Sequence, residues 1–81
     1  MLGDEIKKAR EDAKITQEEL SYAAKIDRTY ISQLENNKKS PTVEVLFRIC
    51  RALGILTSVL VARVETSENS NRKNSPPQKK R

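Results

Sequence analysis

TQEELSYAAKIDRTYISQLENNKKS, residues 16–40, decides how the chain folds. Thr16-Gln17-Glu18-Glu19 is a capping box: the Thr16 hydroxyl accepts from a backbone N–H three residues on, and Glu19 reaches back to the N-cap. A helix therefore starts after Thr16, with Ile15 and Leu20 placed to form a hydrophobic staple across its entry. Leu20, Ala23 and Ala24 give it a narrow apolar stripe whose small side chains let another helix approach closely. A second helix starts at Asp27, a good N-cap, and runs to about Glu35 with Ile31 and Leu34 as its buried pair. Only Lys25, Ile26 and Asp27 lie between the two. A connection that short cannot reverse one helix antiparallel to the next. It can set them at roughly 90–120°. The second helix then presents its N-terminal end and an outer face of Arg28, Thr29, Tyr30, Ser32 and Gln33.

The flanks read as further short helices. From about Gly3 to Ala13, Leu2, Ile6, Ala9 and Ala13 recur at helical spacing, with Lys7, Lys8, Glu11 and Asp12 between them. Asp4 and Glu5 sit in the first turn, where the helix dipole favours them. After Glu35, Asn36-Asn37-Lys38-Lys39-Ser40-Pro41 is a loop, since Asn, Ser and Pro favour turns and Pro41 pushes Ser40 out of the helical region. Thr42 caps a fourth helix that ends at Gly54, with Leu46, Ile49, Cys50 and Leu53 on its core face. A fifth segment spans roughly Thr57 to Val64, and no stretch shows strand alternation. The expectation is an all-α, compact five-helix domain over residues 1–65. Residues 66–81 follow as a disordered basic tail, polar and without periodicity.

Composition removes several functions. The 81 residues hold 16 Lys and Arg against 11 Asp and Glu, and no His. A His-based triad, a His metal site and a His general base are excluded. One cysteine makes neither an internal disulfide nor a four-Cys zinc site, and Cys50 reads as a small core residue. No metal, cofactor or catalysis is implied. No apolar run approaches the roughly 18 residues of a membrane span, so no membrane partner is expected. A lone thiol and the absence of an export signal point to a cytoplasmic location. The net charge of +5 lies mostly in the tail, where Arg72, Lys73, Lys79, Lys80 and Arg81 face a single acid, Glu68. The first 65 residues are close to neutral, so a nucleic-acid partner must be argued from pattern rather than overall charge.

The pattern argues for one. Two helices joined at that angle form a helix-turn-helix, whose second helix lies in the major groove of duplex DNA with its positive dipole end toward the phosphates. Arg28 can bind guanine bidentately, Gln33 can bind adenine, and Thr29 offers a hydroxyl and a methyl. Tyr30 and Ser32 lie on the same outer face, whose groups suit the reading of base edges. The loop of Asn36, Asn37, Lys38 and Lys39, together with Ser32 and Thr16, forms a surface for phosphates.

At these residues the chain resembles the Xre/Cro–repressor helix-turn-helix family of phages and bacteria. The likeness runs through TQEELSYAAKIDRTYISQLENNKKSPTVEVLFRICRALGI (16–55) and back through the first helix, covering about residues 3–64. The DRTYIS run (27–32) is especially similar to small controller proteins of restriction–modification systems. The resemblance implies a lambda-repressor-like fold and roles for matching positions. Gln17 would bind a phosphate. Arg28, Thr29, Tyr30 and Gln33 would contact bases. Asn36 and Lys39 would touch backbone or groove. Arg10 and Glu35 would form a salt bridge joining the first helix to the end of the third. Two departures stand out: Lys25 occupies a turn position that is often Gly, and Ser21 one that is usually Ala.

The fifth segment carries more apolar groups than one face of a terminal helix can bury. Leu56, Val59, Leu60, Val61 and Val64 therefore read as a contact patch for a twofold homodimer, which would place two recognition helices one DNA turn apart. The expected function is a sequence-specific double-stranded DNA-binding transcriptional regulator, a homodimer on a palindromic operator. RNA polymerase is a further partner of that reading. A reading from another class is a protein-interaction module such as an antitoxin, whose main partner is a cognate toxin.

Overall fold

The computed structural model describes residues 1–71, with side chains described for residues 1–66. Five helices make up this part: α1 (Leu2–Asp12), α2 (Gln17–Ala24), α3 (Arg28–Glu35), α4 (Val43–Leu53) and α5 (Thr57–Asn71). No strand occurs among the described residues. Helix α1 packs on α3 and α5, α2 packs on α3 and α4, and α4 packs on α5. The packed faces meet at Ile6, Leu20, Ile31, Leu34, Ile49 and Leu60, each almost wholly removed from solvent. Cys50 lies in the same core, where burial pushes its thiol above the ordinary range and a hydrogen bond from Thr57 works against the shift. By itself no helix among the described residues is long and apolar enough to cross a membrane.

The starts of α2, α3 and α4 follow from local chemistry. Thr16 accepts from the Glu19 amide at 3.0 Å while the Thr16 amide donates to Glu19 Oε1 at 2.8 Å, completing the capping box. Asp27 accepts from the Thr29 amide and Thr42 from the Val45 amide. The stops are less ordinary. Lys14, Lys25 and Asn37 all take the left-handed conformation, with φ near +60°, as Gly54 does at +75°. For a lysine this costs roughly 1–2 kcal/mol. At Lys25 the turn keeps its left-handed shape without a glycine, and its carbonyl accepts from Arg48 Nη2 at 2.9 Å. That bond pins the α2–α3 connection to α4.

Two expectations change, and one falls largely outside the described residues. Helix α5 continues to Asn71 rather than stopping near Val64. The polar shift after Val64 contains no helix breaker before Pro76, and a helix already nucleated by packing gains one hydrogen bond for each residue added. Of the basic tail expected over 66–81, residues 72–81 lie outside the described residues. Ala13 and Ala23, placed on apolar stripes by their spacing, are exposed, because α1 ends at Asp12 and α2 buries only Leu20 and Ala24.

Gly3 lets α1 sit directly on the end of α3. A Cβ there would collide with the carbonyl oxygens of Leu34 and Glu35 and with Asn37 Oδ1. Backbone cannot yield as a flexible side chain can, so Gly3→Ala is expected to destabilise the domain by about 1–3 kcal/mol. Urea unfolding measures this, and a midpoint equal to the parent's would contradict the close approach.

Candidate nucleic-acid interface

Helix α3 is held from behind by a buried polar network. Glu35, on its last turn, is only 3% exposed. Its Oε2 accepts from Arg10 Nε at 2.7 Å, and its Oε1 accepts from Arg10 Nη2 at 3.1 Å and from Gln17 Nε2 at 3.0 Å. Arg10 Nη1 donates to the Ile15 carbonyl at 2.8 Å. One carboxylate thereby joins α1, the α1–α2 loop, the first turn of α2 and the end of α3. The hydrogen bond to Glu35 raises the Arg10 pKa against the opposing effect of burial, so Arg10 stays cationic. No buried side-chain nitrogen or oxygen among the described residues lacks a partner.

With Ile31, Leu34 and Glu35 turned inward, α3 shows its other side to solvent. Arg28 and Thr29 are exposed; Ser32 and Gln33 are half-buried on the same outer side. Tyr30 is half-buried because its ring packs against the core. The loop after α3 is exposed from Asn36 to Ser40, Lys38 and Lys39 included. Helical spacing thus puts Arg28, Thr29, Ser32 and Gln33 away from the buried side of α3, and the loop that follows, with its two lysines, is open to solvent.

Other expected phosphate contacts are partly committed within the fold. The Thr16 hydroxyl is spent on its cap, although the residue is exposed. Gln17 is half-buried and uses Nε2 on Glu35. Asn36 Nδ2 donates to the Ser32 carbonyl at 2.9 Å and approaches the Ser32 hydroxyl at 3.4 Å. Asn37 differs most from the expectation. Its Oδ1 accepts from the Gly3 amide at 2.9 Å and its Nδ2 donates to Asp4 Oδ1 at 3.3 Å. Its left-handed backbone turns the side chain toward α1, which a sequence separation of 34 residues concealed.

The five residues read as a dimer patch do not share a face. Leu60 is 0% exposed and belongs to the domain's own core. It packs inward where α5 meets α1 and α4, so its expected role in an interface is corrected. Successive helical residues point about 100° apart, so Val59 and Val61 emerge on opposite flanks of Leu60. Val59 lines a groove against Glu5, Lys8 and Asp12 of α1. Leu56, 70% exposed, lines a second groove at the α4–α5 corner with Phe47, which is 52% exposed. Val64 is half-buried. Phe47 and Arg48 were missed by sequence reading. Phe47 had a signal, because Val43 and Phe47 lie four apart outside the stripe of Leu46, Ile49, Cys50 and Leu53. Arg48 had none, since its partner is a carbonyl 23 residues away.

A profile of the helix-turn-helix family matches residues 6–60. The control protein C.MunI of Mycoplasma sp is 36% identical over 64 residues, a match covering 78% of this chain and 86% of that protein. The immunity repressor protein of Bacillus phage phi105 is 33% identical over 60 residues, 74% of this chain but 42% of the repressor, so the chain spans less than half of that relative. Among solved structures, the wild-type restriction-modification controller protein C.Esp1396I superimposes with a TM-score of 0.74 at 34% identity, covering 80% of this chain and 86% of that one.

Removing either side of the Arg10–Glu35 pair strands buried hydrogen-bonding groups. Arg10→Met or Glu35→Leu alone is expected to cost about 3–5 kcal/mol, and the two together much less than the sum of the singles. Thermal unfolding of the three variants checks this, and additive losses would contradict the network.

Proposed function

The chain belongs to the helix-turn-helix family of transcriptional regulators, and from that premise we propose that it reads specific sequences in double-stranded DNA as a homodimer on a palindromic operator. The observation that carries the reading is the division of α3 into two sides. Its inner side is locked by Ile31, Leu34 and the Glu35 network, while Arg28 and Thr29 are exposed, Gln33 is half-buried away from the core, and the loop that carries Lys38 and Lys39 is exposed. A rigid helix with free hydrogen-bonding tips meets the demands of base readout in the major groove. Arg28 and Gln33 supply planar, bidentate groups, and Thr29 supplies a hydroxyl and a methyl. Tyr30 sits at the edge of this surface, with its hydroxyl the group that reaches DNA. Lys38 and Lys39 neutralise phosphates, as does the N–H of Gln17 Nε2 that Glu35 does not engage.

The dimer face in this reading is the α4–α5 corner. Phe47 and Leu56 are large, exposed and line one groove, which Thr57 also lines. Val61 follows Thr57 by one turn on the same flank of α5. Val59 faces the other way and is not part of it. Half-sites one turn of DNA apart, about 34 Å, need a twofold pairing that sets the two α3 helices at that spacing.

Selection of bound duplexes from a random library at near-physiological salt tests the reading directly. The expected product is a motif of two half-sites in inverted repeat. A motif-free pool whose binding vanishes as salt rises would overturn sequence-specific reading. On the selected site, Arg28→Ala is expected to cost about 1–3 kcal/mol and relax one base position. Lys39→Ala should weaken all sequences alike and lower the salt slope by about one. For the dimer, Leu56→Asp should give monomers by light scattering while Val59→Asp leaves dimers; the reverse pattern would move the interface to the α1–α5 side.

A further inference from the structure

Helix α1 begins without a local cap. Its N-cap residue is Met1, which makes no side-chain cap hydrogen bond. The first amides of a helix have no partner within it. One of them, on Gly3, is satisfied by Asn37 Oδ1, 34 residues away in sequence, at 2.9 Å. The same amide group reaches Asp4 Oδ1 through Nδ2 at 3.3 Å. Asn37 itself sits in the left-handed conformation at φ +60°, which asparagine tolerates better than most residues. Its backbone amide donates to the Leu34 carbonyl at 3.1 Å, and the Lys38 amide donates to the Gln33 carbonyl at 2.9 Å. The absence of a side chain at Gly3 is what admits the Asn37 oxygen. These bonds converge on the residue that precedes Lys38 and Lys39.

We infer that Asn37 is a positioning residue for DNA binding, which ties the Lys38–Lys39 loop to the N-terminus of α1 and so sets where the two ammonium groups meet the phosphate backbone. It acts through the lysines and touches no base. The inference rests on the DNA-reading function proposed above. The two backbone bonds that close the end of α3 hold only Asn37 and the Lys38 amide, and the exposed polar residues beyond them have little of their own to hold their shape. Two hydrogen bonds to an anchored helix end limit the positions its lysines sample, which lowers the ordering cost of each phosphate contact.

The test separates conformation from anchoring. Asn37→Gly keeps the left-handed backbone accessible and deletes only the anchor. Its salt slope on duplex DNA is expected to fall by about two, one for each lysine, equally for selected and random sequences. Adding Lys39→Ala to Asn37→Gly should then leave the slope unchanged, although Lys39→Ala lowers it in the parent. A loss of fold stability alone would not move the slope. A parent slope in Asn37→Gly, or an undiminished Lys39→Ala effect within it, would overturn the inference. Amide exchange of the free protein supplies a second, DNA-independent readout. The Gly3 amide should exchange faster in Asn37→Gly, and unchanged protection would refute the anchor. If the parent binds no duplex, the DNA reading fails and the inference falls with it, and the exchange result still shows whether the anchor exists.

Discussion

Glu35 carries more of this structure than its single charge implies. It is nearly inaccessible to water, where an unpaired carboxylate would cost several kcal/mol, so the fold has to deliver donors to it. Arg10 supplies two and Gln17 a third, and Arg10 is itself tethered to the Ile15 carbonyl. Satisfying one carboxylate thus sets the position of α1, the entry to α2 and the end of α3 at once. The arrangement is demanding because a half-satisfied network is worse than an apolar one. That demand gives the small domain rigidity where its outward face is to be read against a partner.

A second constraint is the shortness of the helices and the abruptness of their ends. Three connections are made by non-glycine residues in the left-handed region, Lys14, Lys25 and Asn37. Each carries a conformational cost that its surroundings must offset. Lys25 is offset by the Arg48 bond to its carbonyl, and Asn37 by the bonds of its side chain to α1. The turns are therefore held by contacts distant in sequence, and the angle between α2 and α3 depends on α4 as well as on the three residues between them.

Helix α5 shows how the same composition can hide two outcomes. Its apolar residues are close together in sequence, but Leu60 completes the core while Leu56, Val59 and Val61 remain exposed in different directions. The exposed apolar surface is therefore split between a groove against α1 and a corner against α4. Phe47, contributed by α4, joins Leu56 at the corner, and both are large side chains more than half exposed.

The helix starts were legible in the sequence because each is a local event. Thr16 with Glu19, Asp27 and Thr42 cap amides two or three residues away, and a spacing that short can be read directly. The core face of α4 and the outward set of α3 followed from helical periodicity, and the family resemblance pointed to Arg10 and Glu35. The end of α5 was not legible, because a drop in hydrophobicity is no stop signal without a residue that breaks the helix. The sequence by itself determined five short helical segments, their order and the residues offered on the outer side of α3. Only the tertiary structure decided which amides of that surface are free and which, like Asn37, are spent holding it, and which valines of α5 face which neighbour. Gln17 is committed to a partner 18 residues away and Asn37 to one 34 residues away, and at that separation hydrogen-bond partners are assigned by packing rather than by spacing.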